Sequence, residues 1–170
     1  MNLFREIPLS VKGRLFVSPM PFGAYDPGNR LMKIYKRNNV DHAIVLVTDD
    51  ELARKARRDI LGMYISNNIE YSRFIIKDLT VPSLDIIHKM AEKAKDILET
   101  NRVVVHCHAG VGRTAIAVCC ITIYIEGLTA DAAIKKIRDA IPVNITDEQR
   151  RFIFKYAESL LSNKGPSSGK

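Results

Sequence analysis

Apolar and polar positions along the chain fall into blocks whose period switches repeatedly between strand-like and helix-like. Residues 13–18 (GRLFVS) predict a short strand. Asp26-Pro27 predicts a helix start, with Asp as N-cap and Pro at the first helical position, and that helix is expected to reach Asn38-Asn39. Residues 43–47 (AIVLV) form a continuous apolar run rich in β-branched side chains, the pattern of a strand buried on both faces. Thr48 and Glu51 fit a capping box that opens a second helix. Residues 69–76 are a further strand candidate. In residues 83–100, Leu84, Ile87, Ala91, Ala94 and Leu98 recur at helical spacing and line one face. Residues 102–106 (RVVVH) predict a strand, and residues 113–126 predict a helix apolar almost all round, ended by Gly127. Thr129 starts another helix, with Ala133, Ile134, Ile137 and Ile141 as its stripe and Pro142 as its stop. Thr146 and Gln149 fit a second capping box before the last helix.

Strands alternating with helices predict an α/β fold: a central, mostly parallel sheet of four to five strands flanked by helices. Ligands of such sheets bind beyond the carboxyl ends of the strands, so the turn after residues 102–106 is the place to look. The chain of 170 residues reads as one domain over 1–162, followed by a Gly/Ser/Pro-rich tail, 163–170, expected to be flexible.

Composition narrows the setting. Apolar residues make up 46% and charged residues 26%, which excludes a disordered chain. No apolar run approaches the roughly 18 residues of a membrane span, and residues 1–20 lack the apolar core of a secretory signal. Three cysteines argue against a disulfide framework and for a reducing, cytoplasmic setting. The net charge of +7 favours anionic partners without naming one. Arg54, Lys55, Arg57 and Arg58 form a dense cluster, read as the solvated face of a helix.

The candidate chemistry lies in His106-Cys107-His108-Ala109-Gly110-Val111-Gly112-Arg113-Thr114. This turn runs from an apolar strand into an apolar helix. Gly110 and Gly112 allow close approach of a ligand to the main chain. The loop ends at a helix N-terminus, where free N–H groups and the dipole attract an anion. Arg113 offers a planar fork for two phosphate oxygens. A thiol among such groups ionises more readily than a free one, in a general range of roughly 3.5–7.5. Cys107 is therefore a candidate nucleophile under a bound oxyanion. Cys119 and Cys120, mid-helix among apolar residues, read as core. From position 113 to 120 a helix rises about 10 Å, too far for a disulfide back to Cys107. His106, Cys107 and His108 have no second ligand cluster, so no metal is expected.

Residues 106–114 match H-C-x-x-G-x-x-R-[ST] at every defined position, and the chain resembles the cysteine-dependent protein tyrosine phosphatases, in their compact dual-specificity branch. The resemblance implies hydrolysis through a phosphocysteine on Cys107. Arg113 would bind the phosphate together with the loop residues His108, Ala109, Gly110, Val111 and Gly112. Thr114 would stabilise the departing thiolate, and His106 would orient the loop. It also implies a general acid. Asp78, in D-x-x-x-P-S (residues 78–83), fits that loop, with Ile76 and Lys77 where relatives often carry Trp-Pro. Asp49, Asp50 and Asp85 are weaker alternatives, read as helix-start carboxylates. Gln149 has two open readings: positioning of the hydrolytic water, or a helix cap only. No cofactor is implied. The expected partner is a phosphorylated protein, with phosphotyrosine favoured and phosphoserine or phosphothreonine accepted if the pocket is shallow. No stable nucleic-acid partner is expected, and a monomer is. The alternatives are a phosphoinositide phosphatase, for which the loop lacks lysines, an RNA 5′-triphosphatase, for which Gly112 stands in place of Asn, a rhodanese-type sulfur carrier, and a non-catalytic phosphoprotein-binding module.

Overall fold

A computed structural model describes residues 3–162; the expected flexible tail, 163–170, lies outside the described residues. In chain order the elements are β1 (Arg5–Ile7), β2 (Arg14–Ser18), α1 (Leu31–Arg37), β3 (His42–Val45), α2 (Asp49–Lys55), α3 (Ile60–Ile65), β4 (Glu70–Arg73), α4 (Leu84–Ile97), β5 (Arg102–His106), α5 (Arg113–Glu126), α6 (Ala130–Ala140) and α7 (Asp147–Ser162). The five strands lie in the order β1-β2-β5-β3-β4. β5 is central and parallel to both β2 and β3, β4 is parallel to β3, and only β1 runs antiparallel, on β2. The expected fold class holds.

Two faces of the sheet follow from the alternation of side chains. On one face, Phe4 stacks on Phe16 and reaches Tyr35 of α1, Ser18 meets Tyr35, and His106 meets Tyr64 of α3. α5 also packs on β5 and is itself surrounded by α4, α6 and α7. Every residue from Arg113 to Ile123 is consequently buried, which is why this helix is apolar all round. The amphipathic α4 buries Ile87, Met90, Ala91 and Ala94. Gly127 ends α5 in a left-handed conformation (φ 66°), the C-cap that glycine adopts without strain.

Several elements differ from the periodic expectation. β1 and α3 carry too short a pattern to stand out. The helix expected from Pro27 begins only at Leu31: residues 26–30 form turns, and the buried Asp26 carboxylate accepts from the N–H groups of Phe22, Arg30 and Leu31. The basic cluster is not one helix face. α2 stops at Lys55, Ala56 turns extended, and the Arg57 N–H donates to the Phe22 carbonyl at 3.0 Å. Arg57 and Arg58 therefore lie off the helix.

Candidate active site

β5 ends at His106, and the loop to α5 is pinned on three sides by the backbone. The Leu46 N–H donates to the His106 carbonyl (3.1 Å), the Met20 N–H to the His108 carbonyl (3.1 Å), and the Asn144 N–H to the Val111 carbonyl (3.1 Å). Gly110 has φ 80°, and a Cβ there would lie 2.7 Å from the Ser18 carbonyl oxygen. Only glycine fits that approach. Its N–H turns inward and donates to Cys107 Sγ at 3.2 Å. Cys107 is buried at the floor of a cleft of ≈ 270 Å³ whose walls include His108, Arg113, Asp78, Tyr25 and Gln149.

Arg113, at the first position of α5, is buried, and both of its terminal Nη groups are engaged. Its Nη1 donates to Glu51 Oε2 (2.7 Å) and to the Ile76 carbonyl (3.0 Å), and its Nη2 donates to Glu51 Oε1 (2.8 Å). Nη2 also lies 3.2 Å from Asp78 Oδ1. Glu51 thus closes the capping box of α2 and holds the guanidinium in a two-pronged clamp. Burial would raise the Glu51 carboxyl pKa, but hydrogen bonds from Arg113 and the Thr48 N–H, Arg113's charge and Lys55 outweigh it and hold it at about 2. The Arg113 pKa is raised: burial opposes this, and Glu51, Cys107 and Asp78 overcome it.

The sequence pointed to Glu51 only as a cap. Its second role has no local signal, because Arg113 lies 62 positions away.

Asp78 sits in a tight turn closed by the Thr80 N–H on the Lys77 carbonyl (3.2 Å), followed by the exposed Leu79. Ile76, where relatives often carry Trp, is buried. Its N–H donates to the Leu46 carbonyl while its own carbonyl receives Arg113, so the loop is anchored without an aromatic residue. Lys55 Nζ bridges the two carboxylates, 3.2 Å from Glu51 and 4.0 Å from Asp78. Asp49 pairs with Arg73, Asp50 with Arg54 and Asp85 with Lys89, all away from the cleft.

Behind the loop, the Tyr64 hydroxyl lies 2.7 Å from His106 Nε2. Burial raises the Tyr64 pKa and lowers that of His106 to about 4, so a neutral phenol faces a neutral imidazole. His106 Nδ1 points at the Cys107 carbonyl (3.4 Å). His108 stacks edge-on against Tyr25 (5.1 Å), and its pKa is lowered by burial and then by the nearby Lys55 charge. Gln149 is buried and does two things at once. Its backbone N–H donates to Thr146 Oγ1 and its Oε1 accepts from the Thr146 N–H (each 3.2 Å), while its amide faces Gly112 and lines the cleft. Thr114 is buried, and its Oγ1 has no hydrogen-bond partner among the described residues. Cys119 and Cys120 are core residues, and burial pushes the Cys119 pKa up to about 12 and also raises that of Cys120 well above the ordinary thiol value. Among the described residues no cluster of His, Cys, Asp and Glu is disposed to hold a metal.

Residues 27–127 match the family model described as "Polymorphic toxin system, DSP-PTPase phosphatase". The chain is 35% identical over 82 residues to mouse protein tyrosine phosphatase domain-containing protein 1, and 25% identical over 141 residues to the tyrosine-protein phosphatase CDC14 of Candida albicans. These alignments cover 48% and 82% of this chain but only 11% and 24% of those proteins. The fold superposes on kinase-associated phosphatase with a TM-score of 0.83 at 17% identity, covering 94% of this chain and 96% of that one. It superposes on PTPMT1 with a TM-score of 0.77 at 18% identity, covering 96% and 100%. The chain belongs to the dual-specificity branch of the protein tyrosine phosphatase family.

Proposed function

We propose that this chain is a protein phosphatase that hydrolyses phosphotyrosine, and phosphoserine or phosphothreonine where they reach the cleft, through a phosphocysteine. The observation that carries this reading is the convergence of Cys107, Arg113 and Asp78 on one cleft, with Asp78 Oδ1 3.2 Å from the Arg113 Nη2. The substrate phosphate takes the place of Asp78 on Arg113 Nη2, and the loop amides complete its cradle. Cys107 Sγ, as thiolate, attacks phosphorus in line. Asp78, displaced from Arg113 by the phosphate, takes up a proton from solvent; the P–O ester bond breaks, and its oxygen takes that proton from Asp78. Water held by Gln149 then gives its proton to Asp78 and attacks phosphorus. The P–S bond breaks, and the thiolate returns. The Thr114 hydroxyl, without a hydrogen-bond partner among the described residues, supports its proposed part as a donor to that thiolate. The clamp of Glu51 on Arg113 fixes the guanidinium before substrate arrives, so little reorganisation is required.

The test is hydrolysis of p-nitrophenyl phosphate and a phosphotyrosyl peptide, with acid-quenched turnover analysed by mass spectrometry. A phosphate adduct on the Cys107 peptide is expected, with activity indifferent to chelators. Cys107→Ser should abolish turnover yet still bind vanadate or phosphopeptide. Turnover without any cysteine adduct, or activity removed by a chelator, refutes the reading.

A further inference from the structure

Arg57 and Arg58 are exposed, and neither forms an ion pair among the described residues. They line a groove of ≈ 480 Å³ between α2 and α3, with Leu52, Ala56 and Ile60 as its apolar floor. Two carboxylates also border this groove: Asp49 is neutralised by its pair with Arg73, while Asp59 accepts from the Gly62 N–H as the cap of α3 and keeps its negative charge. Two arginines against the one unpaired carboxylate leave the groove net positive.

The groove joins the candidate active site through one short segment. The Arg57 N–H holds the Phe22 carbonyl, and the Arg58 guanidinium lies over the Phe22 ring at 5.5 Å. Three residues on, Tyr25 packs against His108 in the wall of the cleft. On the inner side Lys55 continues the line of cations to Asp78. The cations thus flank the cleft from outside, beyond Phe22. The loop interior offers only His108, Ala109, Val111 and Gly112 at its variable positions. A second anion on a compact ring bound within the loop would need a cation inside it. A second anion carried further along an extended chain would meet Arg57 and Arg58, and its side-chain stem would cover the apolar floor.

We infer that the groove bordered by Arg57 and Arg58 is a second anion subsite, taking a carboxylate or phosphate side chain of the substrate peptide near the phosphotyrosine. The inference rests on the phosphatase reading above. The arginines bind that side chain by charge-assisted hydrogen bonds at a solvent-exposed, salt-screened site.

The experiment is a scan of phosphotyrosyl peptides bearing Glu, phosphoserine, Gln or Lys at each position within about five residues of the phosphotyrosine, an extended reach of about 17 Å. Wild-type chain, Arg57→Ser/Arg58→Ser and Arg57→Glu/Arg58→Glu are compared at low and high salt. One or two positions should show kcat/KM about tenfold higher for Glu or phosphoserine than for Gln. Which anion gains more tells carboxylate from phosphate. The Ser variant should lose the preference, the Glu variant should shift it to Lys, and p-nitrophenyl phosphate turnover should stay within about twofold in both. If no position discriminates in the wild type, or the preference survives in the Ser variant, the inference fails while p-nitrophenyl phosphate turnover keeps the phosphatase reading intact. If the arginine substitutions impair phosphoinositide vesicles or 5′-triphosphate RNA but no peptide, the occupant is another macromolecule and the inference is overturned. Absence of turnover on every aryl phosphate overturns the phosphatase reading itself.

Discussion

Replacing Glu51 by Gln isolates the clamp on Arg113. The carboxylate takes two hydrogen bonds from the guanidinium, at 2.7 and 2.8 Å, one from the Thr48 N–H at 3.1 Å, and an ion pair with Lys55 at 3.2 Å. A Gln side chain keeps one acceptor oxygen and turns an NH2 group toward one of these donors. Breaking a buried pair from one side typically costs about 3–5 kcal/mol. The retained acceptor and the half-exposed Lys55 bring the expectation to about 2–3 kcal/mol, or a melting temperature lower by roughly 4–10 °C for a domain of this size. The pH dependence gives an independent check. The Glu51 carboxyl falls from 4.5 in a free side chain to about 2 in the folded chain. The unfolded chain therefore binds the proton first as pH falls, so the clamp's contribution is complete above about pH 5 and disappears toward pH 2. Urea unfolding of both proteins from pH 7 to pH 3 should show the gap between them closing in that window. With Arg113 no longer fixed, kcat/KM toward p-nitrophenyl phosphate should fall about a hundredfold, close to 2.7 kcal/mol of transition-state stabilisation. A Glu51→Gln protein within about 0.5 kcal/mol of wild type at pH 7 and within twofold in kcat/KM would refute the clamp.

Three further predictions concern the loop and the core. His106, held near a pKa of about 4 by burial, is neutral when folded, whereas an unfolded histidine titrates near 6.5; stability should thus fall by up to about 3 kcal/mol as pH drops from about 6.5 to 4, and urea titrations of His106→Asn should lose that slope. Gly110→Ala places a methyl 2.7 Å from the Ser18 carbonyl at φ 80°, so the loop must shift and kcat should fall at least about a hundredfold in a protein that circular dichroism shows still folded. Iodoacetamide at neutral pH should modify Cys107 alone in the native chain, since burial pushes Cys119 up to about 12 and raises Cys120 well above the ordinary thiol value; peptide mapping that finds either helix cysteine labelled at a similar rate would contradict this.

Much of the fold was legible because its signals are local. β5 and α5 fall on the predicted residues, since the RVVVH run and the uncharged stretch after Arg113 are strong patterns bounded by polar residues and Gly127. The Thr48–Glu51 box and the reciprocal Thr146–Gln149 bonds depend on three-residue spacings, which a sequence displays directly. β1 was not legible. Its three residues become a strand only by pairing with β2, and nothing in Arg-Glu-Ile states that. The helix expected from Pro27 started late because the Asp26 carboxylate serves both the Phe22 N–H and the first turn near Leu31, a tertiary choice among competing donors.

The sequence by itself determined that a glycine-containing loop with a cysteine and an arginine follows a buried strand, because those residues are packed into nine consecutive positions whose spacing is fixed by one turn of backbone. Only the tertiary structure decided what surrounds it: Glu51 on Arg113, Asp78 beside it, Tyr64 behind His106, and Arg57 and Arg58 along a neighbouring groove. Those partners come from separate strands and helices. They meet because β3 and β5 are adjacent in the sheet, and adjacency of strands is settled by packing of the whole chain.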